Sequence, residues 1–178
     1  KLFKEFKYIS IGFSIDDIGD RFEYQRDGGN WSKVEENLRN YQKLDLPKEF
    51  FINCTVSFLN IYYMPEFITW CVENDWRMGF NILFLPEFNH IGNLPRKIKD
   101  KIIERYKEFP DLMDDSDFNL DKLPKLISML NLTEPKDNKY FKYAWNEINT
   151  VDGRRNQNYS DSHPEFYEII QEYINEKV

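Results

Sequence analysis

The chain has 178 residues, of which 41% are hydrophobic and 31% charged, and its formal net charge is -7. This length allows one domain-sized unit with a sizeable core. Its basic residues are dispersed among acidic ones, which argues against a nucleic-acid partner because phosphate backbones require a concentrated positive face. No apolar stretch approaches the roughly 20 residues of a membrane span, so we expect no membrane partner.

Three apolar runs rich in β-branched and aromatic residues predict strands over residues 7–15, 50–58 and 79–85. After the first run, Ser32 and Glu35 form a capping-box pattern that predicts a helix of about three turns. Pro65 predicts the first turn of a second helix, and Pro95 predicts the start of a third. Strands and helices that alternate at this spacing favour a parallel sheet with right-handed crossovers.

The last third of the chain changes character. Apolar residues at helical spacing predict helices over residues 120–130, 140–148 and 164–174. Polar connectors are predicted at residues 111–117 and 154–162. We therefore expect a strand-and-helix region over residues 1–110 and a helical extension over residues 111–178 that packs on it.

The two cysteines are far apart, Cys54 in a predicted strand and Cys71 in a predicted helix. Neither has CxxC spacing or a histidine at ligand distance, so no metal site is predicted. The sequence leaves a disulfide between them open. The expectation is two buried, reduced thiols in a cytoplasmic protein.

Polar residues stand where the predicted strands end, which is where parallel sheets bind ligands. Ser14 and Asp16 follow the first strand, Asn60 follows the second and Glu87 follows the third. Such residues can bind a polar ligand, but they also commonly turn or cap the exit loop. The residues by themselves leave both interpretations open.

A resemblance to a known family covers nearly the whole chain. The segment GFSIDDIGDRFEYQRDGGNWSKVEENL is similar to the fourth barrel strand and following helix of radical S-adenosylmethionine proteins of the twitch-domain-containing group. Their usual form is close to SIDGxGxxxEYxRxxxxWxxVxxNL, and Asp17 stands where the family usually has Gly. The similarity continues through INCTVSFLNIYYMPEF and FNILFLPEFNHIGNLPRKIKDKI, and it reaches the tail at Asp152, Arg154 or Arg155, Pro164 and Glu165.

The resemblance implies an α/β fold that is the C-terminal half of a partial (β/α)6 barrel: three parallel strands with covering helices, then a helical tail. In the full-length parent, a CxxxCxxC loop upstream would bind a four-iron four-sulfur cluster, which this chain does not ligate. The parent would be a radical S-adenosylmethionine enzyme that abstracts hydrogen from a peptide or a small biosynthetic intermediate. The chain alone would be inactive.

Site residues are carried over by position. Ser14 and Arg26 match residues that contact the methionyl carboxylate, and a hydroxyl with a guanidinium suits that anion. Asp16 is placed in the same cofactor-binding set, although it also suits the strand-exit turn. For Arg26 the alternative is a surface salt bridge to Asp16, Asp17 or Glu23.

The third strand matches the one that lies near the adenine, so Asn81 and Leu83 are assigned to the cofactor. Asn60 and Glu87 are candidates for the substrate side. Asn60 also suits the cap of the helix that Pro65 helps to start.

A non-enzymatic alternative is a split or remnant half-barrel that acts as a binding or assembly partner. An unpaired sheet edge would favour self-association or pairing with an N-terminal half-barrel fragment. The start at Lys1, without Met, is also what a piece of a longer protein would show.

Overall fold

The computed structural model describes residues 5–45, 48–113, 120–135 and 138–176. Its elements, in chain order, are β1 (Ile9–Ser14), α1 (Gly19–Gln25), α2 (Trp31–Gln42), β2 (Lys48–Val56), α3 (Met64–Glu73), β3 (Arg77–Ile82), α4 (Arg96–Tyr106), α5 (Lys122–Leu132), α6 (Lys139–Arg155), α7 (Tyr159–Ser162) and α8 (Pro164–Asn175). The strands form one parallel sheet in the order β1-β2-β3. The predicted α/β class and parallel sheet are therefore confirmed.

The third strand differs most from its predicted bounds. It begins at Arg77, and only three residues separate it from the end of α3. Asp75 makes this tight turn with a φ of 56°. It ends at Ile82, although the Leu83 N–H still donates to the Val56 carbonyl at 2.9 Å. Phe84 and Leu85 are exposed beyond it.

The helix α1 was not predicted, and the predicted start of α2 is wrong. Asn30, rather than Ser32, caps α2, because its Oδ1 accepts the Lys33 N–H at 3.0 Å. Glu23 on α1 accepts the Trp31 N–H at 2.8 Å and so satisfies a second free donor of the same helix.

The two faces of the sheet are unlike, because successive side chains of a strand point to opposite sides. One face is apolar and buried, and it includes Ile52, Cys54, Val56 and Met78. The other, which we call the open face, is only partly buried or exposed. It consists of Ser10, Gly12, Ser14, Glu49, Phe51, Asn53, Thr55, Arg77, Gly79 and Asn81.

The helices that follow residue 120 share one hydrophobic core with the rest of the chain. Phe58, just after β2, lies 6.1 Å from the ring of Phe141 and 5.7 Å from that of Phe166. Phe166 also stacks on Tyr62 at 5.2 Å. The helical extension is thus packed on the sheet region through aromatic rings.

Hydrogen bonds tie α1 and the residue before α3 to the tail. The Tyr24 hydroxyl donates to Asp152 at 2.8 Å, and the Tyr63 hydroxyl donates to Glu165 at 2.7 Å. Arg155 donates to the Tyr24 carbonyl at 3.1 Å. Asp152, Arg155 and Glu165, three tail residues named in the resemblance, thus make contacts within the chain.

The predicted connectors need correction. Residues 154–162 are not one polar connector, because α6 continues to Arg155 and α7 occupies Tyr159–Ser162. Asn156 ends α6 in the left-handed region, with a φ of 52°. In the connector predicted at 111–117, the residues from 114 onward lie outside the described residues.

Two titratable groups are buried where α1 meets the tail. Asp17 is 1% exposed, and burial raises the pKa of its carboxyl from 3.8 to about 7. His163 is 0% exposed, and burial lowers the pKa of its imidazole from 6.5 to about 3. Between pH 4.5 and 6, both groups are therefore mainly neutral in the folded chain and mainly charged in the unfolded chain.

These shifts act on stability with opposite signs. A raised carboxyl pKa makes the free energy of unfolding fall as pH rises from about 4 to about 7, because the unfolded chain releases that proton first. A lowered imidazole pKa makes it fall as pH drops from about 6.5 toward 3. In the shared window the two effects oppose each other.

We therefore expect Asp17→Asn and His163→Asn to tilt the pH profile in opposite directions. Asp17→Asn leaves only the imidazole of this pair, so the slope of the free energy of unfolding against pH between 4.5 and 6 becomes more positive than that of the wild type, by at most about 1.4 kcal/mol per pH unit. In His163→Asn the slope becomes more negative than that of the wild type. Urea unfolding at several pH values measures both slopes, and slopes equal to that of the wild type would contradict the prediction.

Candidate functional site

The open face carries polar side chains in register across the three strands. Ser14 of β1 lies beside Asn53 of β2, which lies beside Gly79 of β3. One step further along the strands, Thr55 lies beside Asn81. Hydroxyl and amide groups thus collect near the carboxyl ends of the strands, where parallel sheets bind ligands.

Small residues keep part of this face accessible. A Cβ added at Gly79 would meet no atom within 4 Å, so the backbone there is open to a ligand. A Cβ added at Gly12 would instead lie 2.8 Å from the ring of Phe51. Asn81 Nδ2 donates to Asn53 Oδ1 at 3.3 Å, which holds the two side-chain amides side by side.

A groove of about 470 Å³ runs along β1 where it faces α1 and α2. Ser14, Arg26, Asn37 and Tyr41 are among the residues that line it. The structure therefore brings Ser14 and Arg26, which the resemblance paired, to one groove. Ser14 belongs to both the groove and the open face.

Asp16 fastens the end of β1 to β2. Its Oδ1 accepts the Thr55 N–H at 2.8 Å, and its carbonyl accepts the Asn60 side-chain amide at 2.7 Å. Its Oδ2 accepts from Arg26 at 2.7 Å, so the surface salt bridge considered for Arg26 is present. Asp16 thus has a structural role, whereas Arg26 is the more exposed partner of the ion pair.

Asn60 does not cap a helix through its side chain, so that prediction is wrong. Its Oδ1 accepts the Ser57 N–H at 2.8 Å, and its Nδ2 donates to the carbonyls of Asp16 and Thr55. The residue before α3 is Tyr63. At 1% exposure, with both ends of the amide engaged, Asn60 is placed to brace the strand ends rather than to meet a substrate.

Two further candidates lie beyond β3. Leu83 is half-buried and continues the strand's pairing by one residue. Glu87 is exposed, and it lines a separate pocket of about 290 Å³ with His90, Thr133 and Tyr140 among its other residues. Glu87 is therefore not part of the groove that holds Ser14 and Arg26.

The cysteines do not fit an iron–sulfur cluster. Cys54 and Cys71 are both free, and each is 0% exposed. Burial raises the pKa of both thiols, which opposes the thiolate form that ligates iron. Within the described ranges no group of three or more His, Cys, Asp or Glu is placed to hold a metal ion.

Sequence reasoning missed Asn53, which stands at the centre of the open face. The signal was the alternation in β2, where Ile52, Cys54 and Val56 are buried while Asn53 and Thr55 are not. That pattern is typical of a strand with one face in the core and one face outside it.

Comparison of the chain with protein-family models, with curated proteins and with solved structures finds no match. Among the described helices, none is both long and apolar enough to cross a membrane.

We expect the two partners of the Arg26–Asp16 pair to differ in their contributions to stability. Arg26→Ala removes an ion pair whose arginine side chain is 42% exposed, so the free energy of unfolding should change by about 0–1 kcal/mol. Asp16→Ala also leaves the Thr55 N–H without its acceptor and should destabilise the fold by about 1–3 kcal/mol. Urea denaturation compares them, and equal losses would contradict this division of roles.

Proposed function

We propose that this chain is the C-terminal, S-adenosylmethionine-side half of a radical S-adenosylmethionine enzyme. The observation that supports this most is the shared groove of Ser14 and Arg26. The resemblance assigns these two residues, which are 12 positions apart in the sequence, to one ligand group. Their meeting at the end of a parallel strand suits that assignment.

The groove offers suitable chemistry for a carboxylate. Arg26 gives one Nη2 donor to Asp16, and a guanidinium has five N–H donors in all. The remaining donors and the Ser14 hydroxyl can bind the methionyl carboxylate through charge-assisted hydrogen bonds. The Asp16 carboxylate then orients the Arg26 guanidinium and contributes to binding without itself contacting the ligand.

The open face offers suitable chemistry for the rest of the cofactor. The amides of Asn53 and Asn81 and the Thr55 hydroxyl present donors and acceptors, while Leu83 adds an apolar contact. Gly79 leaves room for a flat ring to approach the backbone. In this proposal the adenosyl group lies across β2 and β3, and the methionyl group lies at β1.

When bound in the parent enzyme, the cofactor would supply hydrogen-abstraction chemistry directed at a peptide or a small biosynthetic intermediate. Because the cysteines of this chain do not fit the cluster, no redox step is assigned to it. Its own residues bind and orient the cofactor. The partial (β/α)6 barrel and the upstream cluster-binding half belong to the same proposal.

The experiment is a nuclear magnetic resonance titration of the chain with S-adenosylmethionine. We expect weak binding, with shifts at Ser14, Arg26 and Asn81. Arg26→Ala should weaken it about tenfold, because a charge-assisted bond to the carboxylate is lost. The matched control is Arg39→Ala, an exposed arginine of α2 that pairs with Glu35.

Decarboxylated S-adenosylmethionine tests which group is recognised. It should bind the wild type at least as weakly as S-adenosylmethionine binds Arg26→Ala, since it lacks the carboxylate that contacts both Arg26 and Ser14. The proposed site would be overturned if no chemical-shift changes occurred at the groove residues. It would also be overturned if Arg26→Ala left the affinity for S-adenosylmethionine unchanged.

A second candidate function is the non-catalytic half-barrel that assembles with a partner, and the outer edge of β1 favours it. Among the described strands, β1 pairs only with β2. The Ile15 N–H points to β2, where it donates to the Asn53 carbonyl at 3.3 Å. Since alternate residues direct their backbone groups to opposite edges, those of Ser10, Gly12 and Ser14 face outward. Such an edge can accept another strand.

Sedimentation velocity over a range of concentrations tests this second function. If the β1 edge pairs with another copy, Ser10→Pro should raise the dissociation constant about tenfold, because proline removes the N–H that the partner strand needs. Ser10→Ala, which keeps that N–H, should associate like the wild type. A monomer at every concentration would count against self-association through this edge.

A further inference from the structure

Three buried side chains between the end of β1 and the tail each have a polar atom without a hydrogen-bond partner among the described residues. The atoms are Asp17 Oδ2, the Tyr159 hydroxyl oxygen and His163 Nε2. The residues are 1%, 1% and 0% exposed. Buried polar atoms are costly to leave unpaired, so three in one region require an explanation.

The three residues belong to one contiguous cluster. The rings of Tyr159 and His163 stack at 4.2 Å with an interplanar angle of 9°, and His163 lies 5.5 Å from the ring of Tyr63. The Arg21 guanidinium lies 4.3 Å above that same Tyr63 ring. Arg21 in turn donates to Asp17 Oδ1 at 3.0 Å, which brings the carboxyl to the group.

Their hydrogen-bonding capacities are complementary. The Ser162 hydroxyl lies 2.7 Å from His163 Nδ1 and 3.3 Å from the Tyr159 carbonyl, so Nε2 carries the ring N–H when the hydroxyl donates to Nδ1 and offers a lone pair when the hydroxyl donates to the carbonyl. Burial lowers the pKa of His163 to about 3, which keeps the imidazole neutral with a single N–H. Asp17 Oδ2 offers an acceptor when the carboxyl is ionised and an O–H donor when it is protonated, and the Tyr159 hydroxyl can both donate and accept. A water molecule, with two donors and two acceptors, can serve all three.

We propose that Asp17, Tyr159 and His163 hold a buried water molecule that joins the end of β1 to the tail helices α7 and α8. The role of Asp17 follows from its position beside Asp16, which fastens β1 to β2. The hydrated site therefore links the strand end that carries Ser14 to the tail. It stands on the contacts of these residues alone and does not depend on the proposed cofactor.

The direct test is a high-resolution crystal structure of the whole chain, with magnetic relaxation dispersion to count long-lived internal waters in solution. We expect water density within hydrogen-bond distance of all three atoms, and one fewer internal water in Tyr159→Phe. Tyr106→Phe is the matched control, because that buried hydroxyl already donates to the Ile61 carbonyl. Its water count should equal that of the wild type.

The folding equilibrium constant of Tyr159→Phe gives an independent readout, because it changes in opposite directions with and without the water. With the water in place, Tyr159→Phe removes a satisfied hydroxyl and should lower the folding equilibrium constant about fivefold. The effects of Tyr159→Phe and Asp17→Asn should then be non-additive, because both act on one water. Without the water, Tyr159→Phe removes an unsatisfied group and should raise the constant. That result, or no density at the site, would overturn the proposal.

Discussion

The architecture depends on how Asp16 ends the first strand. Where β1 leaves the sheet, the Asp16 carboxylate accepts the Thr55 N–H, and its carbonyl accepts the Asn60 amide. Side chains thus continue the pairing of β1 and β2 at the point where the chain turns away into α1. Because Asn60 also binds the Ser57 N–H, the ends of β1 and β2 and the start of the next connection are fixed together.

The placement of Arg26 follows from that strand end. The helix α1 begins at Gly19, shortly after this strand end, and is held near its C-terminus by the Tyr24–Asp152 and Arg155–Tyr24 hydrogen bonds. Arg26 follows directly at the end of α1, and its guanidinium is held by the ion pair with Asp16. Contacts between residues more than 120 positions apart in the sequence thus help to hold the helix that leads to Arg26.

The same strand alternation produces both the core and the candidate site. Ile52, Cys54 and Val56 enter the core because helices cover one face of the sheet, and Asn53 and Thr55 then necessarily point to the other. Near the carboxyl ends of the strands, amides and hydroxyls predominate on this open face and charged side chains are few. Its polarity suits a ligand that is recognised by several neutral hydrogen bonds and by one arginine at the rim.

The sequence by itself determined the α/β class, the three strands, the proline-started helices and the polar residues at the strand ends. Local spacing and proline geometry are sufficient for those features. Only the tertiary structure decided that Asn60 braces strands instead of capping a helix, and that Asn53 joins Ser14 on the open face. It also decided that Asp17 and His163 are buried together. Each of these depends on pairing between segments distant in sequence, and such pairing leaves no local pattern.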